Sequence, residues 1–218
     1  MPGILVINGS PRKNGTTATL LKKAIDGAAS EGSATEYIRL NQLNMRGCQG
    51  CYSCKKRGGE SLGKCVLKDD MTPLYDKIEQ SDAMIIGSPI YFSAVTSECK
   101  MFFDRLFPYL NYGNYSTNFP KRIPVGLVFT MGADDEQMKM LYEQYIQVNQ
   151  MTLSFLFGSA ETLISTDTFH VPDYSEIIAD VMETLVEKKL EHQREVFPQD
   201  CKKAFDMGAR FAKLAKTK

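Results

Sequence analysis

Three short stretches of the chain are apolar at every position, and they limit the possible folds more than any other feature. They are ILVI at residues 4–7, AMII at 83–86 and VGLVF at 125–129. A strand that is exposed on one face alternates apolar and polar residues, whereas a strand of a parallel sheet is covered on both faces and reads as a continuous apolar run. Longer segments with helical spacing separate the three runs. This alternation predicts an α/β fold in which helices cover both faces of a parallel sheet.

The predicted elements follow from the same alternation. We predict strands at residues 3–8, 36–40, 83–88, 123–130 and 161–166, and helices at 16–30, 70–80, 96–107, 134–150, 175–190 and 200–216. A length of 218 residues suits one domain over residues 1–218. We expect it to carry a cysteine-rich insert at 45–69, an irregular aromatic loop at 107–121 and C-terminal helices at 173–218. The last helix has an apolar face that suits either the core or a second subunit: Ala204, Phe205, Met207, Gly208, Phe211 and Ala212.

The balanced charge of the chain argues against polyanionic partners, which bind basic proteins. Lys plus Arg and Asp plus Glu both total 26, so the formal net charge is zero and we expect neither nucleic acid nor a membrane surface as partner. No apolar run approaches the roughly 18 residues of a membrane span. The first strand starts almost at the N-terminus without a signal-peptide pattern, so we expect a cytoplasmic protein with reduced thiols.

The segment INGSPRKNGTTATLL at residues 7–21 joins the first strand to the first helix. A helix N-terminus offers unpaired N–H groups, and Ser, Thr, Asn and Arg side chains surround this one. A Walker P-loop needs four residues between its glycines and then a lysine. Here five residues separate Gly9 from Gly15, and Thr16 follows. The Rossmann fingerprint needs a glycine where Pro11 stands. The segment therefore predicts a monophosphate site, with an ordinary strand-to-helix turn as the alternative.

A second informative segment, DAMIIGSPIYFSAVTSECKMFFDRL, follows at residues 82–106. Its strand ends near Gly87, and the turn SPIYFS leads into a helix. Ligands of open α/β sheets bind outside the carboxyl ends of the strands, where the strand order reverses. The two segments together, GSPRKNGTT and GSPIYFSAVTSECKMFFDR, resemble the flavodoxin-like NADPH-dependent FMN reductase family over about residues 3–166. With its cysteine-rich insert, the chain resembles the iron–sulfur flavoprotein branch of that family.

The resemblance implies a three-layer α/β/α flavodoxin-like fold with five parallel strands in the order 2-1-3-4-5, and a non-covalently bound FMN. By matching positions, the first loop holds the phosphate, the second lines the isoalloxazine and a third completes the site, although Ala133-Asp134-Asp135 replaces the glycine-rich continuation of that third loop in relatives. His170 and His192 are expected to be surface or packing residues. The implied flavin residues are Ser10, Arg12, Asn14, Thr16 and Thr17 in the first loop, Pro89, Ile90, Tyr91, Phe92 and Ser93 in the second, and Thr130, Met131 and Gly132 in the third.

Four cysteines lie within the stretch MRGCQGCYSCKKRGGESLGKC. Cys48, Cys51 and Cys54 have the C-x2-C-x2-C spacing of a loop that wraps a [4Fe–4S] cluster, and Cys65 follows after ten residues, a longer gap than ferredoxins use. Structural zinc usually takes two separated pairs of ligands. A cluster, a metal-free loop, zinc and a disulfide therefore stay open as alternatives. The intervening cations would stabilise thiolates or dock an acidic electron donor: Lys55, Lys56, Arg57 and Lys64.

Three functions are compatible with these features. The first is an FMN-dependent oxidoreductase that takes electrons from NAD(P)H and passes them to a small acceptor or a protein. The second is an electron carrier between ferredoxin-like donors and acceptors, and the third is a non-enzymatic redox or metal sensor. No catalytic side chain is expected, because the flavin carries the chemistry. The aromatic stretch at 107–120 suits either a flap over a neighbouring subunit's flavin in a homodimer or a packed surface loop.

Overall fold

A computed structural model describes residues 3–216. Its central sheet has five parallel strands: β1 (Ile4–Asn8), β2 (Thr35–Arg39), β3 (Ala83–Tyr91), β4 (Ile123–Thr130) and β5 (Gly158–Ser165). Their order in the sheet is β2-β1-β3-β4-β5, which confirms the predicted order 2-1-3-4-5. The three continuous apolar runs lie in the central strands β1, β3 and β4, whereas the edge strands are less buried.

Helices cover both faces of this sheet. In β1, Leu5 and Ile7 belong to the core on one face, while Ile4 and Val6 belong to the core on the other, because successive side chains of a strand point to opposite faces. Both cores are apolar, and the three-layer arrangement follows. The helices are α1 (Thr16–Ser30), α2 (Met71–Gln80), α3 (Ser97–Asp104), α4 (Asp135–Leu141), α5 (Glu143–Phe157), α6 (Asp180–Glu183), α7 (Val186–Glu195) and α8 (Phe197–Lys216).

Two predicted helices are interrupted in the structure. The helix predicted at 134–150 is divided into α4 and α5, because Tyr142 leaves the helical conformation with φ −125°. The helix predicted at 175–190 is replaced by a 3-10 turn at Tyr174–Glu176 followed by α6 and α7. Helices in proteins depend on an apolar face that packs. No residue of α6 is buried and Lys189 is the buried residue of α7, so packing does not sustain one long helix here.

The segment predicted as an irregular loop at 107–121 is partly regular. A 3-10 turn at Phe107–Tyr109 leads into a small antiparallel hairpin, in which Leu110–Asn111 pairs with Ser116–Thr117. The rings of Tyr109, Phe119 and Phe157 pack edge to face, with centroids 4.7–5.9 Å apart. These aromatic contacts hold the segment on the core, and composition rich in Asn, Tyr and Pro did not reveal them.

The C-terminal helix α8 packs on the core of this chain. Its face of Ala204, Met207, Phe211 and Ala212 is buried against α1 and the sheet, which decides between the two arrangements that its sequence allowed. The two helices approach closely because Gly27 and Gly208 lie at the crossing. No helix within residues 3–216 has the length and apolar character needed to span a membrane.

Candidate functional site

A cleft opens at the carboxyl ends of the parallel strands, where β1 and β3 lie side by side and their connections leave in opposite directions. Its walls are formed by the loop after β1, the last residues of β3, the end of β4 with the loop that follows, and the loop after β5. The first three segments are the predicted ones, and the fourth was not predicted. The lining residues are Ser10, Arg12, Gly15, Thr16, Thr17, Pro89, Ile90, Tyr91, Thr130, Met131, Gly132, Thr168, Phe169 and His170.

The first loop presents the start of α1 to the cleft. The Ser10 N–H donates to Asn8 Oδ1 (2.8 Å), and the Arg12 N–H donates to Ser10 Oγ (3.2 Å). Side chains of the loop thus accept hydrogen bonds from its own backbone and stabilise its turn. Gly15 is the N-cap of α1 without a side-chain cap, and the first turn contains no acidic residue. The N-terminal N–H groups of α1 are therefore available to an anion, and Arg12 adds a positive charge.

The first and third loops are joined beneath the cleft. Thr17 Oγ1 and Thr130 Oγ1 lie 2.8 Å apart in a buried hydrogen bond. Thr96 connects the first loop to the second, since its hydroxyl donates to the Gly9 carbonyl (2.6 Å) and its N–H donates to Ser88 Oγ (3.1 Å). The three predicted loops thus form one hydrogen-bonded unit.

Three predicted flavin residues, Asn14, Phe92 and Ser93, lie outside the lining of the cleft. Phe92 and Ser93 both have positive φ (45° and 73°), and the tight turn they form brings Ala94–Val95 back to pair with the end of β3. This turn directs the Phe92 side chain into solvent, where it is fully exposed. Asn14 is also exposed, on the outside of the first loop.

The fourth loop, which sequence reasoning missed, is tied to the third by backbone hydrogen bonds. The Met131 N–H donates to Ser165 O (3.0 Å), the Asp167 N–H to Ala133 O (2.8 Å) and the Thr168 N–H to Met131 O (3.0 Å). His170, predicted as a surface or packing residue, lies in the cleft wall. The order of elements could have predicted this loop, because in a parallel sheet the loop after the fifth strand begins at the same edge as the other three.

The four cysteines of the insert do not form a ready ligand set. Cys48 and Cys51 are exposed, Cys54 is buried, Cys65 is half-buried, and all four are free thiols. Among residues 3–216, no three His, Cys, Asp or Glu side chains converge as metal ligands. Burial raises the pKa of the Cys54 thiol, negative charge at Cys65 and Cys48 acts in the same direction, and the Lys55 ammonium opposes both. In this conformation the loop does not display the predicted four-thiolate site.

The insert is nevertheless firmly attached to the domain. Arg105 Nη1 lies 2.7 Å from Asp69 Oδ2 and donates to the Arg46 carbonyl (2.8 Å), so one buried guanidinium joins both ends of the insert. Lys55 Nζ donates to the carbonyl oxygens of Phe107 (2.7 Å) and Leu110, and lies 4.5 Å from the Phe107 ring centroid. Lys55, predicted to serve thiolates or a docking partner, is held by the aromatic segment, and from there its charge favours the Cys54 thiolate.

Comparison with protein families agrees with this geometry. The model of the family described as NADPH-dependent FMN reductase matches residues 2–167. The chain belongs to this family. Several curated relatives with 28–42% identity are named iron–sulfur flavoproteins, the branch that the cysteine-rich insert resembles.

Relatives of this reductase-family chain include an iron–sulfur flavoprotein of Methanocaldococcus jannaschii, 37% identical over 130 residues that cover 60% of this chain and 62% of that protein. An iron–sulfur flavoprotein of Clostridioides difficile is 42% identical over 106 residues, which cover 47% of this chain and 44% of that protein. The chain thus spans about half the length of the curated relatives that it matches.

Two solved structures with low sequence identity share the fold. An NAD(P)H:quinone oxidoreductase from Methanothermobacter marburgensis has a TM-score of 0.68 at 16% identity, with 96% of each chain covered. An azoreductase from Bacillus anthracis str. Sterne has a TM-score of 0.64 at 12% identity, with 97% of this chain and 100% of that chain covered. Both confirm the flavodoxin-like architecture.

The donor set of the cleft fits the cofactor that gives the family its name. Its first-loop end offers amide N–H groups, the Ser10 and Thr16 hydroxyls and one guanidinium, which suits a phosphate. Its other end is formed by Pro89, Ile90 and Met131, whose apolar surfaces suit a flat ring system.

Proposed function

We propose that the chain is an FMN-dependent oxidoreductase that is reduced by NAD(P)H. The observation that carries this proposal is the uncapped N-terminus of α1, which faces the same cleft as the apolar side chains of Pro89, Ile90 and Met131. A phosphate and an aromatic ring joined in one ligand would satisfy both ends at once. Membership of the NADPH-dependent FMN reductase family supports the choice of FMN as that ligand.

The residues of the chain would bind and orient the cofactor. The α1 amides, Ser10, Thr16 and Arg12 would hold the phosphate, and the loops after β3 and β4 would hold the ring. Bound FMN supplies the hydride-accepting chemistry. Tyr91, at the mouth of the cleft, is 40% exposed and offers an aromatic surface beside the entry for a nicotinamide or a small acceptor.

Arg12→Ala is expected to weaken FMN binding by about tenfold, the low end of the effect of a charge-assisted hydrogen bond, because the guanidinium is exposed to solvent. Quenching of flavin fluorescence measures the affinity. Arg57→Ala, which removes an exposed arginine of the insert, is the matched control and should bind FMN like the wild type. Failure of the wild-type chain to bind FMN would overturn the proposed function. Flavin bleaching on mixing with NADPH or NADH tests the reductase activity itself.

A second proposal is that the insert holds a [4Fe–4S] cluster through Cys48, Cys51, Cys54 and Cys65, and that the protein carries electrons between ferredoxin-like donors and acceptors. The cysteine spacing and the similarity to proteins named iron–sulfur flavoproteins favour it. The free thiols would have to converge, and glycines in left-handed conformations give the loop that latitude: Gly50, Gly58 and Gly63. The exposed cations Lys56, Arg57 and Lys64 would receive an acidic donor.

Anaerobic purification is expected to yield about four iron and about four sulfide per chain if this second proposal holds. Cys51→Ser should lower the iron content, because it removes one thiolate ligand. Cys201→Ser is the control, since this half-buried cysteine lies in α8, outside the insert, and its replacement should leave the iron content unchanged. Zinc or no metal in the wild-type protein would overturn the cluster and leave the flavin proposal intact.

A further inference from the structure

The imidazole of His170 forms part of the cleft wall and lies directly against the backbone of the third loop. A Cβ atom built on Gly132 would lie 2.1 Å from His170 Nε2, so the ring occupies the space that any larger residue would need. The Nε2 edge of the ring therefore faces Gly132, which itself lines the cleft. Within residues 3–216, no hydrogen-bond partner is recorded for Nε2.

The other edge of the ring is engaged by Tyr174. The backbone N–H of His170 donates to the Tyr174 hydroxyl oxygen (3.0 Å), and His170 Nδ1 lies 3.0 Å from the same oxygen. Tyr174 is buried, at 3% exposure, and its hydroxyl hydrogen has no other recorded acceptor in the described part of the chain. A phenol carries one hydrogen, and a neutral imidazole carries one hydrogen on either nitrogen. If Tyr174 donates to Nδ1, the imidazole hydrogen is on Nε2, the nitrogen beside Gly132.

The surrounding charges favour the neutral ring. The His170 residue is exposed overall, but desolvation of its ring in the cleft wall lowers its pKa, and the positive charges of Lys189 and Arg12 lower it further. Lys189 is almost fully buried (1% exposed side chain), donates to the Gly132 carbonyl (2.8 Å) and lies 3.5 Å from Asp167 Oδ1. This lysine from α7 thus fixes the loop against which the histidine rests.

We propose that His170 is a hydrogen-bond donor to bound FMN through its Nε2–H group, and that Tyr174 is the positioning residue that holds this tautomer. The inference rests on the proposed function, in which the cleft holds FMN. The flavin ring carries hydrogen-bond-accepting oxygens and nitrogens, and its electron density rises on reduction. A neutral donor at this position would therefore bind the reduced cofactor more tightly than the oxidised one.

The chain contains two histidines, which makes the imidazoles observable individually. Nitrogen-15 NMR of histidine-labelled protein, with His192→Gln used for assignment, reports the tautomer of each ring. We expect the free protein at pH 7 to show His170 as the neutral Nε2–H form, and Tyr174→Phe to shift it towards a mixture of tautomers. Addition of FMN should move the His170 Nε2 signal. A protonated or Nδ1–H form of His170 in the wild-type protein would overturn the inference.

Binding of FMN provides the second measurement. His170→Leu should lower the ratio of affinities for reduced over oxidised FMN by up to about fivefold, the limit set by one hydrogen bond of about 1 kcal/mol, whereas His170→Gln keeps an N–H donor and should recover part of that ratio. A residue that acted only by packing would change both affinities equally. If FMN binds but the ratio and the His170 signal do not change, this inference alone fails. If the wild-type chain binds no FMN, the proposed function fails and the inference falls with it.

Discussion

Asp69→Asn is expected to lower the free energy of unfolding by about 3 kcal/mol, because it leaves the Arg105 guanidinium buried without its counter-ion. The Arg105 and Asp69 side chains are 1% and 5% exposed, and their closest atoms lie 2.7 Å apart. Arg105 Nη2 also donates to Asp69 Oδ1 (3.1 Å), so the pair is held by two hydrogen bonds. A neutral amide retains the shape of the carboxylate but not its charge.

Chemical denaturation of the wild type and the variant measures this loss. Asp104→Asn is the matched control, since Asp104 pairs with Lys100 on the surface of α3, with side chains 45% and 56% exposed. Breaking this exposed pair should cost about 0.3–0.5 kcal/mol. Equal losses of unfolding free energy in the two variants would show that burial does not increase the contribution of the Arg105–Asp69 pair to stability.

The same pair predicts a dependence of stability on pH. Burial alone would raise the pKa of Asp69, but hydrogen bonds from Arg105 and from the Arg46 N–H outweigh it and hold the pKa below its ordinary value of 3.8. The carboxylate therefore contributes stability above that value, and the contribution is lost as the pH falls through the lower pKa of the folded state. The difference in stability between wild type and Asp69→Asn should shrink on acidification in this window.

Gly208→Ala is expected to destabilise the protein by about 3 kcal/mol, at the upper end of the cost of overpacking. A Cβ on Gly208 would lie 1.9 Å from the Ala24 carbonyl oxygen, and a Cβ on Gly27 would lie 2.0 Å from the Phe205 carbonyl oxygen. Both obstacles are backbone atoms of the facing helix, so α1 and α8 must separate. Helix propensity acts the other way, because alanine is better than glycine in a helix interior by about 1 kcal/mol.

Thermal or chemical unfolding checks the sign of this effect, and hydrogen exchange shows whether α8 loses protection before the sheet does. Gly47→Ala serves as the control, since its new Cβ would meet Met101 Cγ at an ordinary 3.7 Å. A stabilising effect of Gly208→Ala would mean that propensity dominates and that the helices do not cross as closely as the structure shows.

The local sequence pattern predicted the bounds of helices and strands best where these elements are regular and buried. The helix at 16–30 and the strand at 123–130 have their predicted bounds, because each has a clear start signal and an apolar pattern that the core requires. The predicted start of a helix at residue 134 coincides with a capping box, which Asp134 forms with Gln137. The predictions were least successful in two segments: residues 107–121, where aromatic packing forms a hairpin, and residues 174–195, where the weakly buried α6 and α7 have no continuous apolar stripe.

The sequence by itself determined the layered architecture, because unbroken apolar runs require burial on both faces, and the composition of the first loop indicated an anion site. The third loop of the cleft followed from the resemblance to the FMN reductase family. Only the tertiary structure brought His170 to that cleft, placed Tyr174 and Lys189 against His170 and Gly132, and joined the ends of the insert through Arg105. Most of these contacts join residues that are far apart in the sequence, and they depend on how helices and loops pack on the sheet. Such pairs produce no periodic pattern in the sequence. The physical reason is that burial is encoded locally, whereas the identity of a long-range polar partner is settled by the packing of the whole domain.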